Sequence, residues 1–542
     1  MRCFELILGF ALAAPSFAAA QTTSIVQPKL LLSEGDTVLG MGGIEDIATI
    51  DINDAEMWTS LVETTFPDNL RNACILRSGF LTLRESTPVI EPIDSELATF
   101  GLIALNNAGN LGMLVTLRPT RKGVYWNLKP VALQNEPVDS PIVMPGSVWD
   151  SMTIVRLNDA NEMYVMGRVV LGRDRKDILV RYRLDGEGNV TEETVLAYAG
   201  MDVPPLQTVV GNLATSIVTS FSVNKHGNWV TYIGGVGAEA VMLDMTTILG
   251  QEGTPSPAPK PGGGFKDWAE LSQTRTAIND RGDYAFSGTA GDNTDYLIDK
   301  NGQKFVEEGD VLPSFTTTPI SGSAAAPIEI GNNGDVFWRA QVGGGSGSEA
   351  AFMRNYDAVV ILNRTVIGGK LVNKVESDHN AFSSSPNGRF MACRVELGGE
   401  PSILLADFGL TLDLPGCYGN LGVLTHESGR PMIGEPHFVL SMDNAQGVGA
   451  LARIVFSTRQ RIPGSDCGQN TIHGELMTSA AHRIGSLTLP PWNGTGPTSI
   501  DLPIPNEIAL VDGVFFAQGI FRMPGTRNIR MTNGMRIELA AP

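Results

Sequence analysis

Ile278-Asn279-Asp280-Arg281-Gly282-Asp283-Tyr284-Ala285-Phe286 is the stretch whose reading decides the fold of this 542-residue chain. An apolar residue leads into an Asn-led turn closed by Gly, and an apolar, aromatic strand leaves it. Asn and Asp side chains hydrogen-bond to the backbone two residues on, and Gly supplies the positive φ of a tight reversal. Working outward, the same text recurs as Asn53-Asp54-Ala55-Glu56, Asn106-Asn107-Ala108-Gly109, Asn158-Asp159-Ala160-Asn161 and Asn224-Lys225-His226-Gly227. Two degenerate copies follow, Gly331-Asn332-Asn333-Gly334 and Ser385-Pro386-Asn387-Gly388. The turns start at 53, 106, 158, 224, 279, 331 and 385, so the intervals are 53, 52, 66, 55, 52 and 54 residues.

Strand signals flank these turns: Leu102-Ile103-Ala104-Leu105 before one, Trp229-Val230-Thr231-Tyr232 and Val336-Phe337-Trp338 after others. The β-branched and aromatic content is that of sheet interiors. A unit of roughly 50 residues holding several strands is the size of a propeller blade. The expectation is therefore an all-β chain with a seven-bladed β-propeller over residues 21–410. A second landmark keeps phase with the first: Glu34-Gly35-Asp36, Gly200-Met201-Asp202 and Glu308-Gly309-Asp310. Leu30-Leu31-Leu32 looks like the end of a unit whose beginning lies elsewhere, and the last unit needs such an ending. Pairing that N-terminal strand with Ile403-Leu404-Leu405 would close the ring and remove an exposed edge. The 66-residue unit carries Asp185-Gly186-Glu187-Gly188-Asn189, read as a longer hairpin turn. Gln251 through Gly264, rich in Pro and Gly, reads as a linker-like surface loop.

From Pro415 the text changes. Short alternating segments such as His437–Met442, Gly449–Phe456, Val514–Gln518 and Met531–Ile537 predict a β-sandwich over residues 415–542. The run from Gly416-Cys417 through Leu502-Pro503-Ile504-Pro505-Asn506 to Thr532-Asn533-Gly534-Met535-Arg536-Ile537 resembles a C-terminal module of exported planctomycete-type bacterial proteins. The repeats resemble uncharacterised bacterial propeller repeats built on Asn-Asp-x-Gly and an apolar strand; the first, sixth and seventh copies depart from that pattern. The two likenesses imply an exported repeat protein and bring no catalytic residues with them.

Composition agrees with a globular chain: 42% hydrophobic, 18% charged, 61 Gly and 32 Pro. A net charge of -19 disfavours nucleic acid and anionic membranes as partners, because an acidic surface repels phosphate. Arg2, the apolar run Phe4–Ala14 and Ala18-Ala19-Ala20 before Gln21 read as a secretory signal over residues 1–20. The expected location is therefore secreted, periplasmic or cell-surface, with no transmembrane segment after signal removal. Four cysteines then remain, and an oxidising compartment suggests the pairs Cys417–Cys467 and Cys74–Cys393.

Chemistry is sparse. His226 falls within a repeat turn, and His473 and His482 would need Glu475 to complete a metal set. Glu192/Glu193 and Glu307/Glu308 are adjacent pairs, and neighbours on a strand face opposite ways. Acidic turns such as Asp280/Asp283 and Asp299-Lys300-Asn301-Gly302 offer oxygen ligands for Ca²⁺ without the full loop spacing. Arg281-Gly282-Asp283 spells an adhesion tripeptide but lies on the repeat itself. The first expectation is an exported, non-enzymatic binding or scaffold protein that presents loops to an extracellular protein or carbohydrate, with a C-terminal module for surface attachment or sorting. The alternative is a secreted carbohydrate-active hydrolase or lyase with acidic residues in the central funnel. An enzyme would gather two or three carboxylates with an Arg or His there. The residues common to the copies define turns, so binding groups are expected where the copies differ.

Overall fold

The computed structural model describes residues 26–541 except 69–70, 139–142, 214–217, 236–238, 261, 273, 292–294, 322–325, 344–348, 415–419, 421, 430, 444–447, 463–467, 472, 511–512 and 524–528. Residues 1–20, read above as a secretory signal, and the expected pair Cys417 and Cys467 lie outside the described residues. Among the described residues the chain is all-β, with short 3-10 turns and no α-helix. It divides into two compact units, Pro28–Ala406 and the segment from Asp407 onward.

The first unit contains seven sheets of four to six strands, taken in chain order. In each, the strand entering the Asn turn is hydrogen-bonded to the strand leaving it, as Thr276–Ile278 is to Tyr284–Ala290. Further strands follow by hairpins, for example Asp295–Lys300 and Gln303–Glu307. The last sheet is completed from the other end of the chain. Lys29–Ser33 pairs with Glu400–Asp407, setting Leu30 opposite Leu404 and Leu32 opposite Ile403.

Both faces of these sheets are covered, which explains strands that read as continuous apolar runs. In Glu162–Leu171, Met163, Val165 and Val169 join the core shared with the second sheet. The alternate residues Tyr164 and Met166 join the core shared with the fourth. The cycle has no gap. Leu32, Phe390, Ala392 and Ile403 of the last sheet pack with Ile44, Trp58 and Val62 of the first, and Phe352 of the sixth sheet meets Phe382 of the seventh edge-to-face at 5.5 Å. The arrangement is propeller-like.

The turn chemistry is the same in all seven places. The fourth residue donates its N–H to the first carbonyl, as Gly282 does to Asn279 and Gly388 to Ser385. That fourth residue has positive φ in each copy: Gly109 80°, Gly227 82°, Gly282 85°, Gly334 85° and Gly388 77°, with Glu56 (60°) and Asn161 (56°) in the two copies lacking Gly. The second landmark is also sevenfold. Gly35, Ser86, Asn135, Gly200, Gly253, Gly309 and Asn363 all have positive φ. Each donates its N–H to a carbonyl of the segment that follows, Ile44, Leu97, Trp149, Val210, Trp268, Ile320 and Val372 respectively, six of them in the next sheet. Only the copies spelled with Gly and a nearby Asp are visible in the text.

Three expectations need correction. The 66-residue unit is long chiefly because its strands are long: Glu162–Leu171, Asp174–Leu184 and Val190–Tyr198 have 10, 11 and 9 residues. The linker-like stretch is not a linker. Pro255–Pro259 forms an edge strand on Phe265–Glu270, where prolines are tolerated because half the N–H groups face away from the ladder. Cys74 and Cys393 are buried free thiols and form no disulfide. Cys74 lies in the core between the last and first sheets, together with Ala392. Cys393 follows Ala392 on its strand and pairs across to Phe382, so its side chain takes the opposite face, toward the sixth sheet. Bridging requires Cβ atoms that converge. Burial pushes the Cys74 thiol up to about 12.

In the second unit a five-stranded sheet runs in the order Leu410–Leu414, Ile529–Glu538, Val514–Arg522, Leu451–Ser457, Arg483–Thr488. A three-stranded sheet holds Val423–Ser428, Phe438–Asp443 and Thr498–Leu502. The two share one core, with Leu424, Phe438, Leu440 and Met442 from the smaller sheet and Ile454, Ala517, Phe521, Met535 and Ile537 from the larger. Buried Gln518 donates to the Glu475 and Thr532 carbonyls at 2.6 and 2.9 Å, which satisfies polar backbone inside that core.

Candidate functional site

The asparagines that lead the repeat turns do two jobs. Oδ1 closes its own turn: Asn279 accepts from Arg281 N and Asp283 N at 3.0 and 2.9 Å. Nδ2 reaches to the next turn. Asn53 donates to the Asn106 carbonyl (3.1 Å), Asn106 to Asn158 (3.4 Å), Asn158 to Asn224 (3.2 Å), Asn224 to Asn279 (2.9 Å) and Asn279 to Gly331 (2.9 Å). The degenerate copies complete the circle through Asn332 N to the Pro386 carbonyl and Asn387 N to Asp54 Oδ1 at 2.7 Å. The five asparagines are 1–5% exposed. Seven turns thus form one closed hydrogen-bonded circle.

Inside that circle is a cavity of about 280 Å³, lined by one inner strand from each sheet. Two residues before each turn start, the strands place Asp51, Ala104, Arg156, Ser222, Ala277, Glu329 and Ser383, and all seven line the cavity. The copies differ widely in chemistry at this register. Sequence reasoning quoted the turns and passed over these residues; reading the aligned copies two places upstream would have found them.

Asp51 accepts Leu105 N and Ser383 Oγ, both at 2.7 Å, and Ile52 N at 2.9 Å. Glu329 Oε2 accepts Ser384 N. Each acid therefore caps an N–H on the inner edge of the adjacent sheet. Burial raises both carboxyls. It overrides the hydrogen bonds and the Arg156 charge at Asp51, and it pushes Glu329 up to about 7 with the Asp51 charge adding to the rise. Arg156 is lowered by burial while Asp51 and Glu329 act against that shift. His379 edges the same cavity. Burial lowers it, Asp378 opposes, and Arg156, Arg394 and Arg275 lower it further. The channel therefore assembles two carboxylates, an arginine and a histidine, the set named above as the mark of the enzymatic alternative.

The rim repeats the pattern of acid facing amide. Asn107 Nδ2 donates to Asp54 Oδ2 and Asp159 Oδ2 at 2.8 and 2.7 Å, Asn332 Nδ2 to Asp280 Oδ2 at 2.6 Å, and Lys225 Nζ stands 3.5 Å from Asp280.

The other candidates are placed apart from the cavity. Glu307 pairs with Lys266 and Lys304 at 2.6 and 3.1 Å, and Glu192 pairs with Arg181 and Arg183 at 3.1 and 2.6 Å. Asp283 of the Arg-Gly-Asp tripeptide accepts Asn301 Nδ2 at 2.9 Å and holds the hairpin together. Asp299 is buried and rises to about 7, with its Oδ1 accepting Gly302 N at 2.7 Å. His226 is an exposed turn residue. His482 Nδ1 lies 2.9 Å from Ser479 Oγ, while Glu475 is wholly buried and accepts Gly468 N. Among the described residues no three His, Cys, Asp or Glu side chains are grouped to hold a metal ion, and no helix is long and apolar enough to cross a membrane.

No family model matches the chain, and no curated protein matches it. Among solved structures, a protein of unknown function from Bacteroides caccae is 11% identical, covering 62% of this chain and 93% of its own, with a TM-score of 0.27. The WD40 β-propeller domain of Doa1 is 9% identical over 70% of this chain and 96% of its own (TM-score 0.28). A PQQ-bound aldose sugar dehydrogenase from Streptomyces coelicolor is 12% identical over 59% and 97% (TM-score 0.24). Likeness at this level carries no argument.

Proposed function

We propose that this is an exported, non-enzymatic binding or scaffold protein. On this reading residues 28–406 form a seven-bladed β-propeller whose central cavity receives a small polar extracellular ligand such as a carbohydrate. The segment from Asp407 onward forms a β-sandwich for surface attachment or sorting. The observation that carries the reading is the cavity itself: framed by the turn circle, of ligand size, and lined at its inner register by residues whose chemistry varies from copy to copy. Three of the roughly four acceptor positions of Asp51 are taken by the chain's own donors, which suits a fixed recognition surface better than a carboxylate that must receive and release a proton. Export rests on the signal segment at residues 1–20.

A glycan array and a ligand-dependent melting scan on the full chain test the binding reading. Saturable binding abolished by Ala104→Trp, which would fill the cavity, is the expected result; binding indifferent to that change counts against it. Deleting residues 415–542 should release the protein from the cell surface, and unchanged fractionation counts against an attachment role.

A second reading, a carbohydrate-active hydrolase or lyase, is favoured by one observation: Asp51, Glu329, Arg156 and His379 share the cavity, and Glu329 sits near the value a general acid needs at neutral pH. Turnover of a polysaccharide panel lost in Glu329→Gln would establish it.

A further inference from the structure

The charged lining of the cavity is unevenly placed. Four carboxylates, Asp51, Asp159, Asp280 and Glu329, face two cations, Arg156 and Lys225, which leaves an excess of two negative charges with all six ionised. At the inner register the acids are not scattered around the circle. Glu329 belongs to the sixth sheet, Ser383 to the seventh and Asp51 to the first, so the three are consecutive across the point where the chain closes. They are also physically connected: Ser383 Oγ donates to Asp51 Oδ1 at 2.7 Å, and Ser384 N donates to Glu329. Arg156 and Ser222 come from the third and fourth sheets, beyond Ala104. The alanines Ala104 and Ala277 leave room between the two groups.

We propose that the acidic arc Glu329–Ser383–Asp51 receives the ammonium group of a small organic cation. This rests on the cavity being the binding site and adds the class of ligand. An ammonium brings three donors to a site rich in acceptors. A cavity of about 280 Å³ has room for a group of roughly the size of one sugar ring or a short diamine. Asp51 and Arg156 are the charged groups acting on Glu329, with His379 beyond Arg156. A bound cation favours the ionised form of Glu329, so binding releases a proton wherever that carboxyl is still protonated.

The test is calorimetric titration of the full-length protein with two matched pairs, glucosamine against glucose and 1,4-diaminobutane against 1,4-butanediol, with calcium chloride as a separate arm. At least one amine should bind on the order of tenfold or more tighter than its neutral counterpart, the scale of one added charge pair. For 1,4-diaminobutane, whose ammonium groups stay charged across the range, affinity should rise about tenfold from pH 6 to pH 8 as Glu329 ionises; for glucosamine, whose own amine loses its proton there, the rise should be smaller. Glu329→Gln, which keeps an acceptor for Ser384, should abolish both the preference and the pH dependence while the circular dichroism spectrum of the folded protein is retained; Asp51→Asn is the second variant should the first misfold. Equal binding of amine and neutral partner, or an amine affinity unmoved by Glu329→Gln, overturns this inference and leaves the cavity-binding reading standing. Calcium displacing the amine makes the site a metal site and also overturns it. Failure of all four compounds and of every glycan on the array overturns both.

Discussion

Two circles of residues, two positions apart in sequence, divide the work of the first unit. The turn circle is spelled almost alike in five copies, because each asparagine must both close its own reversal and hold its neighbour. The inner-strand circle is spelled differently in nearly every copy, with Asp, Ala, Arg, Ser, Ala, Glu and Ser at one register. A ring needs repeated geometry at its joints, whereas recognition needs asymmetry. On the binding reading, the chain meets both demands by fixing one position and freeing the other. The adhesion-like tripeptide Arg281-Gly282-Asp283 belongs to the first circle, where Asp283 is used up in hairpin bonds.

The comparison can be broken most severely at the closure. Removing residues 1–33 strips the strand paired with Glu400–Asp407 and takes Leu32 out of the shared core. We expect a loss of more than about 4 kcal/mol in urea unfolding, with edge-mediated association seen by size exclusion. An intact, monomeric ring would show that closure does not depend on the N-terminal strand.

Within the turn circle, Asn279→Ala removes two buried acceptor bonds and the donor to Gly331. It should cost about 2–4 kcal/mol by denaturant unfolding. Asn279→Asp keeps Oδ1 but loses the bridge, so comparing the two variants separates closing a turn from joining two sheets.

In the inner circle the effect should depend on pH. Glu329 stands at about 7 in the folded protein against an ordinary 4.5, so between those values the folded state holds more protons than the unfolded one. Stability from this group therefore falls as pH rises through that window and is level above it. Glu329→Gln should remove a decline of about 3 kcal/mol between pH 4.5 and 8. Asp51 retains a slope of the same sign. A wild-type profile parallel to that of the variant would contradict the raised carboxyl.

The smallest effects test how freely each circle tolerates its own alternatives. Gly282→Asn copies the third turn, where Asn161 adopts φ 56°, and should cost under about 1 kcal/mol. Ala277→Ser copies two other inner strands and should shift stability by less than about 0.5 kcal/mol. A larger loss at 277 than at 282 would reverse the assignment of which circle is permissive.

Much of the architecture was legible because local rules wrote it. Asn279, Gly282 and the apolar strand after them announce a turn and a pairing partner, and the spacing repeats it seven times. The closure was legible too, since Leu30-Leu31-Leu32 lacked a partner nearby. The second landmark was only partly readable, because Ser86, Asn135 and Asn363 occupy positive φ without the Gly that would advertise it. Pro255–Pro259 was misread because proline looks like a loop unless its strand is known to lie at an edge. Cys74 and Cys393 were misread because parity in a cysteine count says nothing about which face of a strand each thiol takes.

By itself, then, the sequence determined the repeat, its turn chemistry and the all-β character, since these follow from side chains acting on backbone within a few residues. Only the tertiary structure decided what the asparagine Nδ2 groups grip and which seven residues face one cavity. It also set the order that brings Glu329, Ser383 and Asp51 together. Those facts join residues as far apart as 51 and 383, and such a meeting is fixed by ring closure, a property no local stretch of chain contains.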